Sequence, residues 1–92
     1  MAYTVISLAP ARAFLRDVQG LTREERLMLH ANLMEPLRVD GNCFRRHCER
    51  VDSNRFWYGV VLNVSPPRAF RFLVRDRGAA YGVLEVVRGE EV

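Results

Sequence analysis

The spacing of apolar positions along this chain changes once, at Asp40-Gly41-Asn42, from a helical interval to alternation. Ahead of the helical part, Tyr3 to Leu8 (YTVISL) is short and β-branched and predicts a strand. Pro10 then suits the first turn of a helix, where its missing N–H costs nothing. Ala11, Phe14, Leu15 and Val18 recur at i, i+3, i+4 and i+7 and form one apolar stripe, and Gly20 closes the helix. Thr22-Arg23-Glu24-Glu25 has the form of a capping box that opens a second helix. Leu27, Ala31 and Met34 line one face of that helix, with Leu29 and Leu33 widening it, and Pro36 is expected to end or kink it near Glu35. The short break at Gly20-Leu21 predicts an antiparallel helix hairpin.

After the turn at Asp40-Gly41-Asn42 the pattern is that of strands. Phe44 to Val51 reads as a polar, arginine-rich strand at an edge. Asp52-Ser53-Asn54 turns the chain. In Arg55 to Val64, Phe56, Tyr58, Val60, Leu62 and Val64 share one face, and Trp57, Gly59, Val61 and Asn63 share the other. Ser65-Pro66-Pro67 breaks that strand. Ala69 to Asp76 places Phe70, Phe72 and Val74 inward and Arg71, Leu73 and Arg75 outward. Arg77-Gly78 turns back into a last strand, Tyr81 to Val87, which Gly89 is expected to end, with Glu90 and Glu91 in a frayed tail. The fold class implied is α+β: an N-terminal strand, a two-helix hairpin, then a largely antiparallel sheet of about four further strands, with the helices packed on one face. The 92 residues suffice for a single domain, residues 1–92, with no repeat or linker dividing it.

Charge changes the picture by its distribution. All 14 basic residues are arginine. Ten of them lie between Arg38 and Arg88 against five acids, so that segment is basic, whereas the first 37 residues balance four arginines with four acids. A GC-rich genome also replaces lysine by arginine, but codon bias does not place the excess in one half. Arginine forks suit carboxylates, phosphates and planar bases, which points to an anionic partner. No apolar run is long enough to cross a bilayer, and no charged segment followed by an apolar stretch opens the chain, so a cytoplasmic location is expected and no membrane partner.

The two cysteines, Cys43 and Cys48, fall in a segment read as extended, which would hold their Cα atoms roughly 16 Å apart, too far for a disulfide. Cys43, His47 and Cys48, with His30 at a distance, lack the paired spacing of structural zinc sites. Neither a metal nor a cofactor is expected. Hydrolase, phosphate-loop and dinucleotide-binding motifs are missing as well.

The order and spacing of YTVISLAPARAFLRDV, GLTREERLMLHANLMEPL and AFRFLVRD…YGVLEVVRG resemble the RelE/ParE superfamily of bacterial toxin–antitoxin systems. Members of that family cleave mRNA in the ribosomal A site or poison DNA gyrase. The resemblance implies an arginine-rich sheet face that acts on the translation machinery or on gyrase, and a cognate antitoxin. Arg71, in AFRF, matches the family's basic position on the penultimate strands and is the candidate catalytic residue. Arg88 lies near a basic position of the last strand, one residue out of register. The C-terminal His, Lys or Tyr of many RNA-cleaving members has no counterpart in Gly89-Glu90-Glu91-Val92, which leaves enzymatic activity open.

RNA cleavage needs a base for the 2′-hydroxyl, a donor for the leaving oxygen, and cations around the phosphate. Arg45, Arg46, Arg50, Arg55, Arg71, Arg75 and Arg88 are the candidate cations. His47 and Glu49 could serve as bases, but they fit a solvated edge strand better. Arg71 and Arg75 project from the same side of their strand, and with Trp57 on the neighbouring strand they would form a basic platform with an aromatic edge. Structurally, Arg75 could instead pair with Glu85 across the hairpin, and Trp57 could be core. The other function the sequence accommodates is a small non-enzymatic interaction or inhibitor protein, of the kind phages and mobile elements encode, docking on nucleic acid or on an acidic protein surface.

Overall fold

The computed structural model describes residues 3–39, 48–78 and 81–92. In chain order the elements are β1 (Thr4–Ser7), α1 (Ala9–Asp17), α2 (Arg23–Val39), β2 (Cys48–Arg50), β3 (Arg55–Leu62), β4 (Arg68–Asp76) and β5 (Val83–Glu91). The strands form one five-stranded sheet in the order β1-β5-β4-β3-β2. All neighbours are antiparallel except β1, which runs parallel to β5. Such a parallel pairing needs a crossover, and α1 and α2 belong to it. The expected α+β layer, with both helices on one face of a largely antiparallel sheet, is the architecture observed.

Local chemistry sets the helix boundaries. The capping box forms in full: Thr22 N–H donates to Glu25 Oε1 at 2.8 Å, and Glu25 N–H donates to Thr22 Oγ1 at 3.1 Å. At the other end of the connection, Arg26 Nη1 donates to the carbonyls of Leu15 and Arg16, both at 3.0 Å. These are last-turn carbonyls of α1 that have no intrahelical partner. One arginine of α2 thus caps α1 and pins the two helices together. Gly20, at φ +76°, makes the turn between them.

Helix α2 departs from expectation twice. It does not stop near Glu35: Pro36 lies inside it, and the helix runs on to Val39. Pro36 forfeits one backbone hydrogen bond, but Met34 and Leu37 on either side of it are buried and hold the last turn against the core. The buried stripe is Leu29, Leu33, Met34 and Leu37, whereas Leu27 is exposed. Two overlapping apolar rows run along this helix, and the sheet takes the one that continues to Leu37.

The core lies between the helices and the sheet. On β3, Phe56, Tyr58, Val60 and Leu62 are buried, as are Phe70, Phe72 and Val74 on β4 and Leu84 and Val86 on β5. These alternations are the ones the sequence predicts for β3 and β4. Phe14 of α1 meets Phe70 and Phe72 edge to face, at centroid distances of 6.1 and 5.8 Å. Removing each such ring from water contributes about 1.5–3 kcal/mol.

Strand β5 is longer than expected and ends differently. Val74 faces Val86, but Leu73 faces Arg88, so the ladder contains a bulge at Val87. Beyond the bulge the pairing resumes, with Phe72 opposite Gly89, Arg71 opposite Glu90 and Phe70 opposite Glu91. Glu90 and Glu91 are therefore paired strand residues and do not form a frayed tail. Gly89 does not end the strand. It admits the Phe72 and Phe14 rings, which a Cβ there would meet at 2.5 and 2.8 Å. Arg68 closes the end of the sheet: its Nε and Nη2 donate to the two Glu91 carboxylate oxygens at 2.8 and 2.7 Å, and Nη1 donates to the Gln19 carbonyl at 2.7 Å.

Candidate functional site on the helix-free sheet face

With the helices covering one side of the sheet, the other side displays the outward residues of five strands. Cross-strand register orders them into rows. One row runs Arg55, Arg75, Glu85, Ile6, and the next runs Glu49, Trp57, Leu73, Arg88. A third runs Gly59, Arg71, Glu90.

Trp57 is the centre of this face. It is half-buried, directly opposite Leu73, which is only 6% exposed although it points away from the main core. Two guanidiniums gather over the indole: Arg71 Cζ lies 4.1 Å and Arg88 Cζ 4.9 Å from the ring centroid. Both fall within the range of cation–π attraction. The bulge at Val87 brings Arg88 here. Uninterrupted alternation from Leu84 and Val86 would turn Arg88 toward the helices, and the extra residue reverses its side.

The arginines of this face are matched by acids. Arg71 Nε donates to Glu90 Oε1 at 2.8 Å, with Nη2 also 2.8 Å away, and Arg88 Nη1 stands 3.9 Å from the same oxygen. Arg75 pairs with Glu85 at 2.8 Å, and Arg77 approaches the same carboxylate at 3.7 Å. Arg55 pairs with Asp52 at 2.7 Å. That hydrogen bond, joined by the backbone N–H of Asn54, holds the Asp52 carboxyl below its ordinary range. The face is a mosaic of paired charges around an indole: the Arg75–Glu85 pair weighed from sequence as the structural alternative forms, and Glu90 adds a carboxylate beside Arg71 that the expected basic platform did not include.

The candidate residues separate as follows. Trp57, Arg71 and Arg88 come together. Arg75 shares their face but belongs to the adjacent row, bound to Glu85 across the hairpin, and Arg55 lies beyond it. Arg50 faces the other way: it is opposite Phe56, and its guanidinium carbon lies 5.4 Å from that ring centroid, on the helix side. Arg45 and Arg46 lie outside the described residues, as do Cys43 and His47. Glu49 is exposed beside Trp57, in the same row. Cys48 is half-buried against the core, and His30 is exposed. Among the described residues no group of three or more His, Cys, Asp or Glu is placed to hold a metal, and no helix is long and apolar enough to cross a membrane.

Glu90 is the site residue that sequence reasoning misses. Its signal is the i, i+2 spacing from Arg88, which puts both on one side of an extended strand. That signal is readable only once β5 is known to continue past Gly89. Two surface depressions, of about 320 and 340 Å³, flank the Trp57 cluster: one is lined by Asn32, Pro36, Gly59 and Val61, and the other, lined by Ile6, Arg77, Tyr81, Val83 and Glu85, opens beside the Arg75–Glu85 pair. The Trp57 site is a broad face and not a small-molecule cleft. No protein-family model, no curated protein and no solved structure matches this chain.

Proposed function

We propose that the chain is a RelE/ParE-like domain that acts by docking on its target through the helix-free face of the sheet, with Trp57, Arg71 and Arg88 at the centre of the contact. The observation that carries this reading is the gathering of two guanidiniums over one half-buried indole. Trp and Arg are the residues on which binding free energy concentrates in protein interfaces, particularly where they are held in place beforehand. Here Glu90 orients Arg71, and the bulge orients Arg88.

Of the two targets that the resemblance implies, the charge pattern favours a protein surface such as that of gyrase over an mRNA phosphate in the ribosome. Phosphoryl chemistry needs cations open to the phosphate oxygens. Glu90 on Arg71 and Glu85 on Arg75 place carboxylates where those oxygens would lie. A protein partner can answer a mosaic of paired charges with a complementary one. The non-enzymatic interaction protein is the second reading. It uses the same face and is favoured by the same pairing.

The test is induction of the wild-type chain and of Arg71→Ala in bacteria, followed by gyrase supercoiling assays and mapping of mRNA 5′ ends. Docking on gyrase predicts growth arrest and inhibited supercoiling with intact mRNA, all relieved by Arg71→Ala. New mRNA 5′ ends would assign the chain to the RNA-cleaving branch. Unimpaired growth with good soluble yield would leave the interaction protein.

A further inference from the structure

We infer that Glu90 is a selectivity residue, which keeps nucleic-acid phosphates off the Arg71–Trp57–Arg88 cluster. This rests on the reading of that face as the docking surface and adds what the face excludes. Three observations support it. First, a single oxygen, Glu90 Oε1, takes Arg71 at 2.8 Å and stands 3.9 Å from Arg88, so one carboxylate lies between the two guanidiniums that gather on Trp57. Second, the residue opposite Arg71 on its other side is Gly59, whose nearest neighbour to an added Cβ is a backbone oxygen 4.0 Å away. Among the described residues the row is thus open on the β3 side and closed by charge on the β5 side. Third, Arg71, Arg88 and Glu90 all retain substantial exposure, with side chains 40%, 52% and 38% accessible. The cluster is within reach of a strand of nucleic acid, and a carboxylate guards it.

Without Glu90 this face has what single-stranded nucleic acid binders use: two cations beside an aromatic plane. With Glu90, an approaching phosphate must displace a like-charged group that is already hydrogen-bonded to Arg71. A protein partner supplies donors as well as acceptors and can leave the Arg71–Glu90 pair in place.

The probe is a fluorescein-labelled oligouridine, titrated by anisotropy against the wild-type chain, Glu90→Gln and Glu85→Gln across a range of salt. Glu85→Gln removes the same charge from the same face but frees Arg75 and Arg77 instead. Glu90→Gln should bind about tenfold more tightly than wild type, and its log–log salt slope should steepen by about 1, as one or two further phosphate contacts require. Glu85→Gln should gain much less. Adding Arg71→Ala to Glu90→Gln should abolish the gain. Thermal melts establish that each variant is folded, and Glu90→Ala serves if the glutamine variant is not. Equal gains in Glu90→Gln and Glu85→Gln would reduce the effect to net charge and overturn the inference. So would unchanged or undetectable binding by a folded Glu90 variant. Neither outcome bears on whether wild type docks on a protein, which the induction and supercoiling assays decide separately.

Discussion

Phe72 and Gly89 face one another across β4 and β5, and a methyl group on Gly89 would stand 2.5 Å from the Phe72 ring. The ring cannot retreat, because Phe14 meets it edge to face from α1. Gly89→Ala should therefore destabilise the fold by about 1–3 kcal/mol through overpacking, measured by chemical denaturation. Gly59→Ala is the control. Among the described residues its added Cβ meets nothing closer than 4.0 Å, and it should leave stability nearly unchanged.

Arg26 joins the helices by donating to the Leu15 and Arg16 carbonyls. Arg26→Ala should cost about 1–2 kcal/mol, because it removes two charge-assisted hydrogen bonds from the end of α1. Hydrogen exchange should show the loss first at the Val18 amide, which bonds to the Phe14 carbonyl at that end. Unchanged protection there would mean that α1 is capped by packing alone.

Stability should fall on the acid side. Hydrogen bonds from Arg16, Arg55 and Arg68 hold the carboxyls of Asp17, Asp52 and Glu91 below their ordinary values. A carboxyl depressed in the folded state contributes stability above its unfolded value, about 4, and loses it as the pH drops through the folded value. Denaturation midpoints should accordingly be level near neutrality and fall below about pH 4. Arg68→Ala should flatten part of that decline, because Glu91 would then titrate alike in both states. These groups are exposed to solvent and the effect is small, so the shape of the curve is the readout.

The alternation of Phe56, Tyr58, Val60 and Leu62, and of Phe70, Phe72 and Val74, was legible in the sequence because a period of two admits one buried face. The Thr22–Glu25 capping box was legible because its chemistry is local. The end of β5 was not. Gly89 reads as a terminator when considered alone, and its role becomes clear only from the Phe72 and Phe14 rings that approach it. The bulge at Val87 breaks parity, so plain alternation from Leu84 and Val86 would send Arg88 to the helix side, whereas it reaches Trp57. Glu90 was hidden for the same reason. On α2 the sequence offers two apolar rows, and only the sheet distinguishes Leu37 from Leu27. Pro36 shows that two buried neighbours outweigh one lost hydrogen bond.

Arg71 is paired at the surface, so Arg71→Ala should lower stability by no more than about 1 kcal/mol while removing one of the two guanidiniums over Trp57. A larger loss would mean that the Trp57 cluster supports the fold and not a contact.

Bacterial growth after induction of the wild-type chain, beside an equally soluble and folded Arg71→Ala, addresses the docking face most directly. Arrest by wild type that Arg71→Ala relieves is the expected result. Arrest of equal depth by both chains, or no arrest by wild type, would contradict a toxin-like action through this face.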